Sequence, residues 1–397
     1  MAKKKPNIKA GLKTMMDIAN EGSKGRAYMA EDVAKKYRYV DFCDVTLGRP
    51  CLPLEYVYGT RGLMTGKVVK YEAMEADGKS SSIFMNYGMA QRAGGAYSVH
   101  FESEDAPPPA DFMYHLGCDP SEVLIEHPPD VTSCLKRVTT WLHKVRTSLD
   151  KDKVYPLLIG IDSISGLAGK DTSDLSKKAE GGEGISMHAR AFSAWFRDYM
   201  KHFSMQDAVM MVSGQLKDNI NTDKFNQHDK KSMVTLADKP FAFYSTWIMN
   251  LYHSKYWVEG EGQLGEIITM KCTKNKQGAP NRSTKVILMK PENTPSGEPG
   301  WNWDMGNKDL LFTNKSSRLL AVPNNEATSG GGWYKHKGIN DNKNYRWPDF
   351  IEELYAREDL LMDIRNNLRI RGFGLPFEVD YRLKNEDIPE IPDASDT

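Results

Sequence analysis

The sequence predicts an α/β protein: a mostly parallel central sheet covered by helices, with an N-terminal helical segment before it and a small C-terminal domain after it. Three observations carry this expectation. From Leu52 to about Lys290, apolar segments of strand length alternate with amphipathic segments of helix length. Gly78-Lys79-Ser80 stands between one such strand and one such helix. A second apolar run, Leu157 to Ile161, ends on Asp162.

The elements follow in order. Ile8 to Asn20 reads as a basic helix, and Gly48-Arg49-Pro50 marks a turn in the connector behind it. Strands are expected at Lys67–Tyr71, Tyr97–Phe101, Val123–Glu126, Pro156–Ile161 and Ala208–Ser213. Helices fit between them at Lys79–Arg92, Asp130–Leu149 and Ile185–Phe203. Three further strands, Thr246–Tyr252, Glu266–Thr273 and Thr284–Met289, have no helix-length spacers and are expected as antiparallel additions at one edge. Two stretches lack periodicity, Gly169–Gly184 and Lys217–Lys239, and loops of that length in a compact domain are usually functional or disordered. After Pro291 the composition turns to Pro, Gly, Trp and Asn, and helical patterns follow at Trp347–Arg357 and Glu358–Arg371. The expected organisation is a basic helix and connector over 1–50, a core over 51–291, a small domain over 292–375 and an acidic tail over 376–397.

Charge is balanced overall, 53 Lys and Arg against 53 Asp and Glu, so the whole chain does not advertise a polyanionic partner. The distribution is uneven. Lys3, Lys4, Lys5, Lys9 and Lys13 crowd one end, and Glu378, Asp380, Glu386, Asp387, Glu390, Asp393 and Asp396 the other. Such tails are commonly just solvated; an acidic one can also compete with nucleic acid for a basic groove. No apolar run has membrane-span length and no N-terminal h-region is present, so a cytoplasmic protein is expected, with no membrane partner. Five irregularly spaced cysteines without a C-x-x-C read as reduced, mostly buried thiols.

The stretch from Ala73 through Met74, Glu75, Ala76, Asp77, Gly78, Lys79 and Ser80 to Ser81 has the context of a phosphate-binding loop. Backbone N–H groups at a helix N-terminus point at an anion, and the helix dipole adds to their pull. Lys79 would reach the β- and γ-phosphates, and the Ser80 hydroxyl would hold Mg²⁺. One position departs from the pattern: Ala73 stands where the first glycine is usual. Asp162, at the end of an apolar strand, is placed to orient Mg²⁺; otherwise it caps the next turn. Glu102 and Glu104 form an acidic cluster at the end of the second strand, where open α/β sheets bind ligands and where a carboxylate polarises an attacking water. Arg190, Ser193 and Arg197 share one helix face, and Lys217, Lys224, Lys230 and Lys231 add charge to the second irregular stretch. Lys274 and Lys276 lie two apart on a strand and so point to one side.

From roughly Leu52 to Lys290 the chain resembles the RecA recombinase family, and especially its phage-encoded UvsX-like branch; Gly59 to Val69 looks like that family's entry to the first core strand. The resemblance implies a RecA-type P-loop core using ATP and Mg²⁺. It selects Glu104 over Glu102 as the hydrolytic carboxylate, puts Phe112 where the family stacks an aromatic on adenine, and makes Gln215 the γ-phosphate sensor. It gives Lys274 and Lys276 a role at a neighbouring subunit's phosphates. It matches the two irregular stretches to DNA-binding loops, Arg190, Ser193 and Arg197 to phosphate contacts, and Ile185 and Ile220 to apolar wedges between bases.

The function implied is an ATP-dependent recombinase, a DNA-stimulated ATPase that forms a homo-oligomeric helical filament on single-stranded DNA and pairs it with double-stranded DNA. A single-stranded DNA-binding protein or loader is a further expected partner, in a host cytoplasm if the chain is phage-encoded. Two alternatives stay open: a hexameric replicative helicase of the same fold, and an ATP-gated single-stranded DNA coating protein with little hydrolysis, motivated by Ala73 and Asp77. Gly331-Gly332-Trp333-Tyr334 also resembles a family element and reads as packing.

Overall fold

The structure, a computed structural model, describes Met15 and residues 38–44, 49–104, 106–150, 152, 154–168, 183–218, 233–234, 238–259, 262–294, 299–313, 327–339 and 343–373. The expected basic helix (apart from Met15), most of both irregular stretches and the acidic tail lie outside them, as do Ile220, Lys224, Lys230 and Lys231.

Eleven strands and eight helices suffice to place the site. They are β1 (Tyr39–Asp41), α1 (Leu52–Tyr58), β2 (Gly62–Met64), β3 (Lys67–Ala73), α2 (Lys79–Arg92), β4 (Tyr97–Glu102), α3 (Ala110–His115), β5 (Val123–Glu126) and α4 (Val131–Lys144). Then come β6 (Leu157–Asp162), α5 (Glu183–Met205), β7 (Ala208–Gln215), α6 (Asp238–Tyr244), β8 (Trp247–Glu259), β9 (Gly262–Asn275), β10 (Arg282–Met289), β11 (Trp301–Asn302), α7 (Trp347–Ala356) and α8 (Glu358–Phe373). A nine-stranded sheet runs β11-β10-β9-β8-β3-β7-β6-β4-β5. All pairings from β8 to β5 are parallel, and those of β9, β10 and β11 are antiparallel.

One expectation needs correction. The segment expected at Thr246–Tyr252 forms the first part of β8, which is parallel to β3 and not an antiparallel addition. The connection from β7 to β8 carries helix α6 and is long enough to cross back over the sheet, which a parallel pair requires. The other two segments, β9 and β10, are antiparallel as expected.

The central strands read as unbroken apolar runs because both sheet faces are covered. Every residue of β6 is buried, and so are Ala208–Gly214 of β7. On one face, α4 buries Val131, Cys134, Leu135, Val138 and Leu142, the stripe of an amphipathic helix, and Asp130 caps it by accepting from the Ser133 N–H at 2.8 Å. The helix expected to run on to Leu149 widens over Val145–Leu149 into a π-turn. Phe192, Trp195, Phe196 and Phe203 of α5 and Phe241 of α6 complete this layer. On the other face lies α2, buried from Ser81 to Ala90. Its apolar cluster is continuous with α1 and with Trp301, Trp303, Trp347, Phe350, Leu354, Ile364 and Leu368 near the C-terminal end. Arg365 of α8 ties this segment to α1 through Glu55, at 2.6 Å. All five cysteines are free thiols, and burial pushes Cys43 up to about 11 and Cys118 and Cys272 up to about 12.

Gly88 lets α2 touch the chain after α3: a Cβ there would lie 2.2 Å from the Gly117 carbonyl oxygen and 2.6 Å from its carbon. Alanine would gain up to ~1 kcal/mol of helix propensity. The overlap is with backbone, which cannot swing aside, and overpacking of this kind costs ~1–3 kcal/mol. Gly88→Ala is therefore expected to lower stability by about 1–2 kcal/mol, read as a lower urea midpoint in circular dichroism; an unchanged or higher midpoint would refute the close approach.

Candidate nucleotide-binding site

The candidate groups gather at the C-terminal ends of the parallel strands. β3 ends at Ala73, and the loop over Met74–Gly78 leads directly into α2. Ala76 and Gly78 take positive φ, 61° and 86°, which curls the loop back over the helix start. Gly78 offers the helix no side-chain cap, and no acid stands in the first turn, so the leading N–H groups of α2 keep the anion-attracting character of a helix N-terminus.

Ala73 is the last residue of a strand. It is fully buried, lies opposite Gln215 in the parallel β3–β7 ladder, and has no left-handed φ. Nothing in that geometry demands glycine. Asp77, the other anomaly of the loop, turns toward the β8–β9 hairpin, where its Oδ1 accepts from the His253 N–H at 3.3 Å.

Lys79 folds across the loop. Its Nζ donates to the Met74 carbonyl at 2.5 Å and the Ala73 carbonyl at 3.4 Å. Burial lowers its pKa, and Asp162, Asp77, Glu104 and Glu75 act against that shift, which makes them the acids whose charge the ammonium feels. Asp162 is buried at the end of β6, and its Oδ1 accepts from the Ser213 hydroxyl of β7. Glu104 accepts at Oε1 from the Ser163 hydroxyl at 3.0 Å, and its own N–H donates to Glu102 Oε1 at 2.9 Å. The Asp162–Ser163 peptide is cis. Gln215 ends β7 beside the loop entry, its N–H donating to Ser165 Oγ at 3.3 Å. Ser80 is half-buried in the first turn of α2. A hydroxyl and a carboxylate are the oxygen donors that Mg²⁺ takes, and uncapped N–H groups with an adjacent ammonium suit a polyphosphate, so these residues fit both.

Lys79, Glu104 and Asp162 are thus brought together electrostatically, with Gln215 alongside Ala73. Phe112 lies on α3, half-buried against the core, with its ring centroid 6.2 Å from that of His115. Lys274 and Lys276 are elsewhere. Lys274 pairs with Ile248, which pairs with Lys70, and the Lys276 N–H donates to the Thr246 carbonyl, so both stand two strands to the side of β3 and short of Ala73, toward the N-terminal ends of the parallel strands. They cap the end of α6: Lys274 Nζ donates to the carbonyls of Ala242 and Phe243, and Lys276 Nζ to that of Phe243 at 2.6 Å. Burial, with Lys276 next to it, lowers Lys274 to about 8.

Arg190, Ser193 and Arg197 are exposed on α5, opposite the buried Phe192, Trp195 and Phe196. Ile185 belongs to the same helix and Lys217 to a short strand pair with Val234; their side chains are outside the described residues. Sequence reasoning missed the hydroxyls that hold the acids, Ser163 and Ser213. Ser163 had a signal, since it directly follows Asp162; Ser213 needs the pairing of β6 with β7 to be seen.

No protein-family model matches the chain. The RecA protein of Thermotoga maritima is 23% identical over 238 residues, which cover 60% of this chain and 62% of that protein. The mitochondrial DNA repair protein recA homolog 3 of Arabidopsis thaliana is 24% identical over 236 residues, 59% of this chain and 51% of that one. The RecA protein of Leifsonia xyli is 22% identical over 324 residues, 81% of this chain and 79% of its counterpart. The chain spans less than two thirds of the length of the Thermotoga proteins it matches. With its mostly parallel nine-stranded sheet, the chain is a distant relative of the RecA proteins.

Proposed function

We propose that the chain is an ATP-dependent DNA recombinase, closest to the phage-encoded branch of the RecA family, that assembles on single-stranded DNA as a filament and pairs it with a homologous duplex in the cytoplasm of its cell. The observation that supports this reading is the convergence of the loop, two carboxylates and a glutamine at the C-terminal ends of the parallel strands, with a lysine pair set apart from them. The loop, Asp162, Glu104 and Gln215 stand at the C-terminal strand ends and the Lys274/Lys276 pair lies nearer the N-terminal ends, two strands to the side of the loop. In the single chain both ammonium groups are turned to the end of α6 and not to the loop, and in this reading a neighbouring copy supplies the pair.

In this reading the N–H groups of α2 and Lys79 cradle the β- and γ-phosphates. Ser80 and Asp162 would hold Mg²⁺, which neutralises charge between the phosphates. Glu104, oriented by Ser163, orients a water toward the γ-phosphate and takes its proton. Gln215 meets the γ-phosphate and passes its presence to the chain that follows β7. Phe112 stacks on the base. Lys274 and Lys276 of the adjoining copy stabilise charge on the transferring phosphoryl group. Because the triphosphate contacts two copies, it favours the assembled state, and the assembled state favours it. Arg190, Ser193 and Arg197, with the lysines of the second irregular stretch, meet DNA phosphates without regard to sequence. Among the described residues no helix is long and apolar enough to cross a membrane.

A strand-exchange assay with ATP and Mg²⁺, with electron microscopy of the same reactions, tests the reading; filaments and exchanged product are expected, and closed rings or a coated strand without exchange would overturn it. In that assay Lys79→Ala abolishes turnover, and Glu104→Gln lowers kcat by about 10²–10⁴-fold with ATP binding retained; full phosphate release from either variant counts against the assigned roles. Lys274 loses its charge as pH rises through about 8. Recruitment of this lysine from the free chain to a neighbour's phosphates is therefore expected to weaken above that pH, read as a higher protein concentration needed for half-maximal turnover, and Lys274→Arg to move this alkaline limb upward; a profile identical in both proteins removes Lys274 from the site. Arg190→Ala and Arg197→Ala should each weaken single-stranded DNA binding and flatten the log–log salt dependence by about 0.7, measured by fluorescence anisotropy across a salt series; unchanged slopes would make them ordinary surface charge.

A further inference from the structure

A buried cluster behind the strand-end acids is unused by the chemistry just described. His100 and Glu102 lie two apart on β4 and share a face of the sheet. Register sets Glu102 opposite Asp162. One ligand atom from each of His100, Glu102 and Asp162 lies within 4.8 Å of the other two, and the residues are only 0%, 5% and 7% exposed.

Hydrogen bonding decides which atoms are committed. Glu102 Oε1 accepts from the Glu104 N–H, and Asp162 Oδ1 from the Ser213 hydroxyl, so each carboxylate keeps one oxygen for another partner. The Tyr87 hydroxyl donates to the Val99 carbonyl at 3.2 Å, so its oxygen is left to accept from His100 Nδ1, 3.4 Å away. With the imidazole proton on Nδ1, Nε2 presents a lone pair toward the two carboxylates. Phe84, its ring centroid 4.7 Å from that of His100, helps fix the ring. Nε2 stands 3.6 Å from Glu102 Oε2, just beyond hydrogen-bond distance, and against the effect of burial the imidazole lowers the Glu102 pKa. A lone pair and a carboxylate oxygen facing each other in a buried site repel unless a proton or a metal ion lies between them, and a metal ion would engage Asp162 as well.

We propose that His100 Nε2, Glu102 and Asp162 bind a divalent transition-metal ion of the Mn²⁺ or Zn²⁺ class. One imidazole with two carboxylates suits such ions, whereas Mg²⁺ prefers an octahedron of oxygens with several waters. Closing three atoms within 4.8 Å of one another onto bonds of about 2.0–2.2 Å needs movements of under about 1 Å each. The inference rests on the proposed nucleotide site only in sharing Asp162. A bound ion would hold the ends of β4 and β6 together and fix the Asp162 carboxylate in place.

Titration of the nucleotide-free protein with Mn²⁺, followed by loss of the free-ion electron paramagnetic resonance signal, tests it. One ion per chain is expected, displaced by Zn²⁺ and not by an equal concentration of Mg²⁺. His100→Phe and Glu102→Gln should each weaken uptake at least about tenfold, with folding checked by circular dichroism and, for His100→Phe, ATP binding in Mg²⁺ retained. The wild-type titration stands if His100→Phe fails to fold, and Glu102→Gln supplies the second ligand test. No uptake, displacement by Mg²⁺ at parity, or unchanged affinity in the folded variants would overturn the proposal. Mn²⁺ uptake with this ligand dependence in a protein that binds no ATP would support the metal site while removing the nucleotide reading.

Discussion

The parallel register of four neighbouring strands is the constraint on which the candidate site depends. Ala73 is level with Gln215, and Asp162 with Glu102, so four chain segments far apart in sequence end along one line. Each strand then delivers a different group to that line: a loop and helix start, a glutamine, a buried carboxylate, and an acid two residues past a strand end. Slipping one strand by a single residue would turn its contribution to the opposite face. Packing on both faces prevents this, since the strands are apolar on either side and the register is fixed by what each side buries.

Polar groups refine that placement. Asp162 is held by a hydroxyl from the adjacent strand and Glu104 by one from the residue after Asp162. These bonds orient carboxylates that charge repulsion would otherwise push apart. The burial that makes the cluster costly also strengthens each interaction within it.

Much of this was legible in the sequence because the signals are local. Gly78-Lys79-Ser80 between strand and helix, and Asp162 at the end of an apolar run, need only a few neighbouring residues to be read. What stayed hidden depends on pairing at a distance. The strand before the loop reaches Ala73 instead of stopping at Tyr71, and only that extension shows why an alanine is tolerated there. Asp77 finds the backbone of His253, 176 residues away, which no local pattern announces. The direction of β8 was misjudged because chain spacing alone does not say where a connection crosses the sheet. His100 reads as an ordinary core histidine until the β4–β6 register brings Asp162 beside it.

Lys274 and Lys276 hold the last carbonyls of α6, the helix that follows the second irregular stretch. An ammonium group engaged there is not free to serve a phosphate on another molecule. Recruiting the pair to a neighbour would strip that helix of its terminal counter-charge and loosen its grip on β9. In the filament proposed above, docking of one copy on the next would thus be felt at α6 itself, a mechanical link made by two side chains changing allegiance.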